Sequence, residues 1–71
     1  MATEVKSPIT ANVWKVLVKP GQAVLAGETL TILESMKMEI PVESPVGGTV
    51  KEVKIQEGGN VVEEAVMFVI E

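Results

Sequence analysis

Residues 5–34 recur, shifted by 37 positions and without a gap, as residues 42–71. Val5 falls on Val42, Ser7-Pro8 on Ser44-Pro45, Val13 on Val50, Val16 on Val53, Gly21 on Gly58, Val24 on Val61 and Glu34 on Glu71. Most other apolar positions match in kind: Ile9 with Val46, Val18 with Ile55, Leu25 with Val62, Leu30 with Met67, Ile32 with Val69 and Leu33 with Ile70. Such a duplication is a scaffold signature, because each copy carries an apolar face that it buries only against its twin. Function is then better sought in what the repeat leaves out. The seam between the copies is Ser35-Met36-Lys37-Met38-Glu39-Ile40-Pro41, and Lys37 has no counterpart within the 71 residues.

The apolar segments are short, rich in β-branched residues and punctuated by glycine and proline, which marks them as strands. The expected strands are 3–7, 12–18, 23–25 and 29–34 in the first half, and 38–43, 49–55, 60–62 and 66–70 in the second. The run Thr29-Leu30-Thr31-Ile32 alternates, which points Leu30 and Ile32 inward. Val50, Val53 and Ile55 slip out of alternation by one residue, a spacing that a helical turn also produces. Their twins Val13, Val16 and Val18 slip identically, which suggests a β-bulge that bends both strands alike. Pro20-Gly21, Gly47-Gly48 and Gly58-Gly59 supply the turns. Eight strands in two equivalent halves imply an all-β fold, either two small sheets face to face or a flattened barrel, with pseudo-two-fold symmetry. The seam becomes the hairpin between the halves, its tip protruding at one end.

A chain of this length is expected to form a single domain, residues 1–71, burying only ~60% of its unfolded surface. No cysteine is present, so the core rests on aliphatic side chains, and a reducing, cytoplasmic setting is compatible. Met1-Ala2-Thr3-Glu4 lacks signal-peptide character, and the longest apolar run, 65–70, is far below the ~20 residues of a membrane span. A net charge of −4, no arginine and only Trp14 and Phe68 as aromatics argue against nucleic acid as a partner. The absence of His, Cys, Asp and Tyr removes a histidine base, a thiol nucleophile and soft metal ligands, so neither a self-contained catalyst nor a metal site is expected. The Gly-Gly pairs lead into no helix and match no nucleotide-binding spacing, and Trp14, inside a dense apolar strand, reads as a partly buried packing residue.

Lys37 stands apart from Lys6, Lys15, Lys19, Lys51 and Lys54, which read as solvated surface. A hairpin tip holds its amine away from the body. Met36 and Met38 flank it, large and apolar, and exposing them there wastes burial unless something docks. The other reading of the methionines is that one or both fold back as core filler.

The segment Glu34-Ser35-Met36-Lys37-Met38 resembles the E-A-M-K-M signature of biotinyl domains, the carrier modules of biotin-dependent carboxylases. The resemblance spans nearly the whole chain: Val18-Lys19-Pro20-Gly21 and Val24-x-x-Gly27-x-x-Leu30 before the lysine, Gly48-x-Val50 and Glu57-Gly58-x-x-Val61 after it. It implies a barrel-sandwich hybrid of two four-stranded antiparallel sheets, with Lys37 on an exposed β-turn. It further implies that a biotin protein ligase joins biotin to Lys37 through an amide, with Glu34, Ser35, Met36 and Met38 as the recognition motif. The ureido ring is then carboxylated at a biotin carboxylase and carried to a carboxyltransferase. The domain, monomeric and non-catalytic, contributes effective concentration.

The sequence departs from the family pattern in places. Ser35 stands where alanine is commonest, Ala11 where glycine is usual, and Gln22 and Gly59 where aspartate is usual. Glu64 replaces a glycine. No insertion separates the second and third strands, so the thumb of some bacterial acetyl-CoA carboxylase carriers is missing, and the parent carboxylase is left open. Lipoyl domains share the fold and the tip lysine, but their motif reads D-K-A rather than M-K-M. Attachment of lipoyl, or of both groups, is the alternative. A purely structural barrel of the transporter-adaptor kind normally carries long helices at the junction, where this chain has seven residues.

Overall fold

Each strand of the first half has its counterpart in the second, and the two halves interleave. The computed structural model describes residues 2–71; Met1, part of the N-terminal segment expected above to lack signal-peptide character, lies outside them. The strands are β1 (Thr3–Lys6), β2 (Ala11–Val16), β3 (Ala23–Val24), β4 (Thr29–Ser35), β5 (Met38–Glu43), β6 (Gly48–Val53), β7 (Asn60–Val61) and β8 (Val66–Ile70). One antiparallel sheet has the order β1-β8-β6-β3 and the other β5-β4-β2-β7. A shift by one repeat turns each order into the other. Every sheet therefore takes two strands from each half, and neither half closes a sheet alone.

The loops obey the same symmetry. The Gly21 amide donates to the Val50 carbonyl, and the Gly58 amide to that of Val13. The Ser7 and Ser44 hydroxyls, both buried, donate two residues ahead to the Ile9 and Val46 carbonyls. These bonds turn the chain out of β1 at Lys6, one residue before the expected end. The strands expected over 12–18 and 49–55 stop at Val16 and Val53. There the chain leaves its sheet for the opposite one, after last bonds from the amides of Leu17 and Lys54 to the carbonyls of Leu30 and Met67.

The expected bulge is present, twice. Val13 pairs with Leu33 and Lys15 with Ile32, leaving Trp14 over; Val50 pairs with Ile70 and Glu52 with Val69, leaving Lys51 over. Trp14 and Lys51 are repeat equivalents. A second pair of bulges falls at Leu30 and Met67, again equivalents, and this pair escapes the sequence pattern. It corrects one expectation. Leu30 faces inward, but the extra residue shifts the phase, so Thr31 and Leu33 are buried and Ile32 turns outward, half-covered. The buried Thr31 hydroxyl is satisfied by donating to the Lys15 carbonyl. Trp14, expected to pack within its strand, is 46% exposed because the bulge holds it on the outer face.

The core lies between the sheets. Leu30, Leu33, Val50, Met67 and Phe68 are wholly buried, and Val13, Val24 and Ile70 nearly so. Each such side chain contributes roughly 1.5–3 kcal/mol on burial. Gly48 sits where a Cβ would lie 2.6 Å from the Glu71 carbonyl oxygen, so the backbone there tolerates no side chain without moving. Glu64 holds φ at 73°, whereas its twin Gly27 reaches the same left-handed region at 88° without a Cβ penalty.

Two stability outcomes follow from this packing. Leu30→Ala and Leu33→Ala should each cost roughly 2–5 kcal/mol in denaturant unfolding, and Ile32→Ala clearly less, despite the similar side chain. Glu64→Gly should stabilise by about 1 kcal/mol, since it removes a strained left-handed residue. An unchanged or lower midpoint for that variant would show that the Glu64 side chain compensates the strain.

Candidate functional site

The β4–β5 hairpin outruns its neighbours. β2 accompanies β4 only as far as Asn12 opposite Glu34, and beyond that Ser35 and Met38 pair with each other alone. Met36 and Lys37 form the two-residue turn, with φ of 53° and 66°. Positive φ at both central residues is the mark of a type I′ turn, whose twist matches that of the flanking strands. Such turns ordinarily take Asn-Gly, because a side chain in the left-handed region is strained. Here a methionine and a lysine occupy both positions. The hairpin register forces the conformation, and the turn holds two long side chains outward at the cost of local strain.

Those side chains project into solvent. Met36 is 92% exposed and Met38 65%, so neither fills the core. Lys37 is exposed and, among the described residues, takes part in no ion pair; the two recorded pairs are Lys51–Glu71 and Lys54–Glu52. Glu34 and Glu39 face each other across the hairpin just behind the turn, both exposed. Like charges directly opposite are mildly unfavourable. All five motif residues, Glu34, Ser35, Met36, Lys37 and Met38, thus lie in the last turn of one hairpin. Ser35 is half-buried at its neck.

Sequence reasoning missed the flank of this tip. A shallow groove beside the hairpin is lined by Ser35, Met36, Asn12, Asn60 and Val62, and the two asparagines are directly paired between β2 and β7. Their repeat equivalents are Thr49 and Ala23. That mismatch between otherwise matching halves was the available signal.

A duplicated β-body with an exposed lysine on the strained turn of a protruding hairpin is the architecture of a covalent attachment domain. The comparisons with known proteins agree. The family model described as "Biotin-requiring enzyme" matches residues 2–70, and the chain belongs to this biotin/lipoyl attachment family. It is 48% identical over 60 residues to a biotin/lipoyl attachment protein of Bacillus subtilis, covering 84% of this chain and 82% of that one. It is 45% identical over 58 residues to a "Biotinylated protein TB7.3 homolog" of Mycobacterium leprae, covering 82% of each. Among solved structures, the urea carboxylase of Kluyveromyces lactis superposes with a TM-score of 0.92 at 30% identity, over 100% of this chain but 6% of that enzyme. The expected fold of two four-stranded antiparallel sheets and the expected family are both found.

The strain at the turn is measurable. Replacing Met36-Lys37 by Asn-Gly (Met36→Asn, Lys37→Gly) should raise stability by about 1 kcal/mol or more, because each left-handed residue with a Cβ costs on that order. Lys37→Ala alone should leave the unfolding midpoint nearly unchanged. A large loss in either variant would make these side chains structural.

Proposed function

We propose that this domain is a biotin carboxyl carrier and that Lys37 is its attachment residue. The observation that carries the reading is the Lys37 amine, exposed and free of any ion pair at the tip of a strained two-residue turn. The site fits the group. Acylation by a carboxylic acid needs an accessible primary amine, and no glutamate neutralises or sequesters this one. Its positive-φ turn fixes the direction in which the side chain leaves the body. In the ligase site Lys37 Nζ, having lost its proton, attacks the acyl carbon of biotinyl-adenylate. The amide bond forms, the acyl–phosphate bond breaks and AMP leaves. Glu34, Ser35, Met36 and Met38 serve as the recognition motif, the methionines by presenting apolar, adaptable surface on both sides of the amine.

When attached, biotin supplies a ureido ring that takes up carboxylate at a biotin carboxylase site and gives it up at a carboxyltransferase site. The chain's own residues do no bond-making in those steps. The body keeps the tether's root rigid, and the tether raises the effective concentration of the ring at both sites. The partners are therefore a biotin protein ligase and carboxylase subunits, in a cytoplasmic setting, with the domain itself monomeric and non-catalytic.

Lipoyl attachment is the second reading. The name of the Bacillus subtilis relative, which covers both groups, favours keeping it. Against it stand Met36 and Met38, where lipoyl domains place an acidic and a small residue.

Co-expression with a biotin protein ligase, and separately with a lipoyl ligase, followed by intact-mass and peptide mass spectrometry, tests both. A single biotinyl group on Lys37 is expected, with none on the other five lysines, and Lys37→Ala should abolish it. An unmodified mass in the presence of active ligase, ATP and biotin would end the biotin reading.

A further inference from the structure

The two sheets have outer faces built on the same backbone, with the same bulges, and those faces carry opposite chemistry. On the β1-β8-β6-β3 sheet, Lys51 occupies the bulge and Lys54 follows it. Lys51 pairs with Glu71 at 3.2 Å and Lys54 with Glu52 at 3.4 Å, and Glu4 lies opposite Val69. That face is an ordinary solvated surface. The equivalent positions on the β5-β4-β2-β7 sheet are Trp14, Leu17, Lys15, Pro41 and Ile32. Trp14 is 46% exposed and Leu17 48%, while the half-covered Ile32 pairs with exposed Pro41. Lys15 Nζ lies 5.7 Å from the centre of the Trp14 ring, which leaves the rest of that ring open.

The fold does not require this apolar patch. Lysines at the twin positions, on the same bulged backbone, give a sheet with the same strand order. An exposed tryptophan three residues before an exposed leucine therefore answers to something outside the domain, and tryptophan is among the residue types enriched at interface hot spots. The patch reaches towards the tip as far as the Ile32–Pro41 pair, and the exposed Glu34–Glu39 pair lies between it and the turn. Ile32 and Pro41 lie on the hairpin that carries Lys37, and Pro41 is four residues from it, roughly 13 Å along the strand. Exposed Glu34, Glu39 and Glu43 edge the patch on the same side.

We infer that the outer face of β2, β4 and β5, centred on Trp14 and Leu17, is where biotin protein ligase grips the domain while Lys37 enters its active site. The inference rests on the biotin reading above. It commits to the ligase because the substrate there is bare lysine. A short stem must reach the activated acid, so the ligase surface has to press against the body beside the hairpin. Once the longer biotinyl arm is in place, later partners take the ring from further away. The ligase surface that fits is apolar at its centre, with cationic residues facing the three glutamates.

Trp14→Lys with Leu17→Lys gives this face the side chains its counterpart already carries, so the double variant keeps the fold, which its unfolding midpoint checks. With purified bacterial biotin protein ligase, ATP and biotin, its kcat/KM for biotinylation should fall about ten-fold or more, mainly through KM, the size expected for loss of an aromatic anchor. Lys51→Ala with Lys54→Ala, on the opposite face, should be labelled at the normal rate. In the wild-type domain, 5-fluorotryptophan at position 14 should shift its ¹⁹F resonance on addition of ligase, a readout that needs no variant. Labelling of the double variant at the wild-type rate, or an unmoved ¹⁹F signal, overturns the inference. So does a defect confined to carboxylation of the prebiotinylated variant by biotin carboxylase, since that assigns the face to the later partner. Failure of the wild-type domain to be labelled at all is a different result and removes the biotin reading instead.

Discussion

Neither half of this chain can bury its apolar face alone, and that dependence organises the rest of the molecule. Each sheet takes two strands from each copy, with β8 and β6 of the second copy central in one and β4 and β2 of the first central in the other. The side chains between them, Leu30, Leu33, Val13 and their equivalents Met67, Ile70 and Val50, form one shared core. In a domain this small the core holds little surplus stability. Interleaving makes it cooperative, because losing either half exposes both sheets. The rigid β4–β5 hairpin is a by-product of the arrangement. Its root is held on the inner side by Leu33 and Ile40 and laterally by β2, and the last residues stand clear of the body.

The value of that rigidity is seen at the turn. Two non-glycine residues, Met36 and Lys37, are kept in the left-handed region by a two-residue turn that strand pairing closes on either side. Glu64 is held left-handed by a comparable constraint, the hydrogen bond its backbone N–H donates to the Ser7 carbonyl, as that of its twin Gly27 does to Ser44. The two cases differ in what they return. Among the described residues the Glu64 side chain takes part in no hydrogen bond or ion pair, and glycine does the same task in the other half. At the tip the strained positions are those whose side chains carry the proposed chemistry, so relief by Asn-Gly removes the amine along with the strain.

Most of this was legible in the sequence because duplication made each inference checkable against its twin. The bulge at Trp14 and Lys51 could be read from the shared slip of Val13, Val16 and Val18 against Val50, Val53 and Ile55. The second pair of bulges could not. Thr29 to Ile32 alternates on paper, and the twin segment, Val66 to Val69, is apolar throughout, so neither copy shows where the phase changes. Ile32 and Trp14 were misplaced for one reason: an extra residue in a strand moves its neighbours to other faces, and composition is blind to that. The motif around Lys37 was readable since it interrupts the repeat. The groove beside it was not, because its asparagines come together only when β7 pairs with β2.

A two-fold scaffold offers a control that single-copy folds lack. Where the halves agree, as at Gly21 and Gly58 or Ser7 and Ser44, the residue answers to a requirement of the backbone, because the same geometry recurs with the same side chain. Where they disagree on an outer face, as Trp14 and Leu17 do with Lys51 and Lys54, the strand order is the same with either side chain. Trp14 and Leu17, whose twins are lysines, are such positions, and Lys37 lies in the seam outside both copies. They gather on the β4–β5 hairpin and the strand beside it. The opposite face carries lysines and ion pairs of modest worth on the same bulged scaffold.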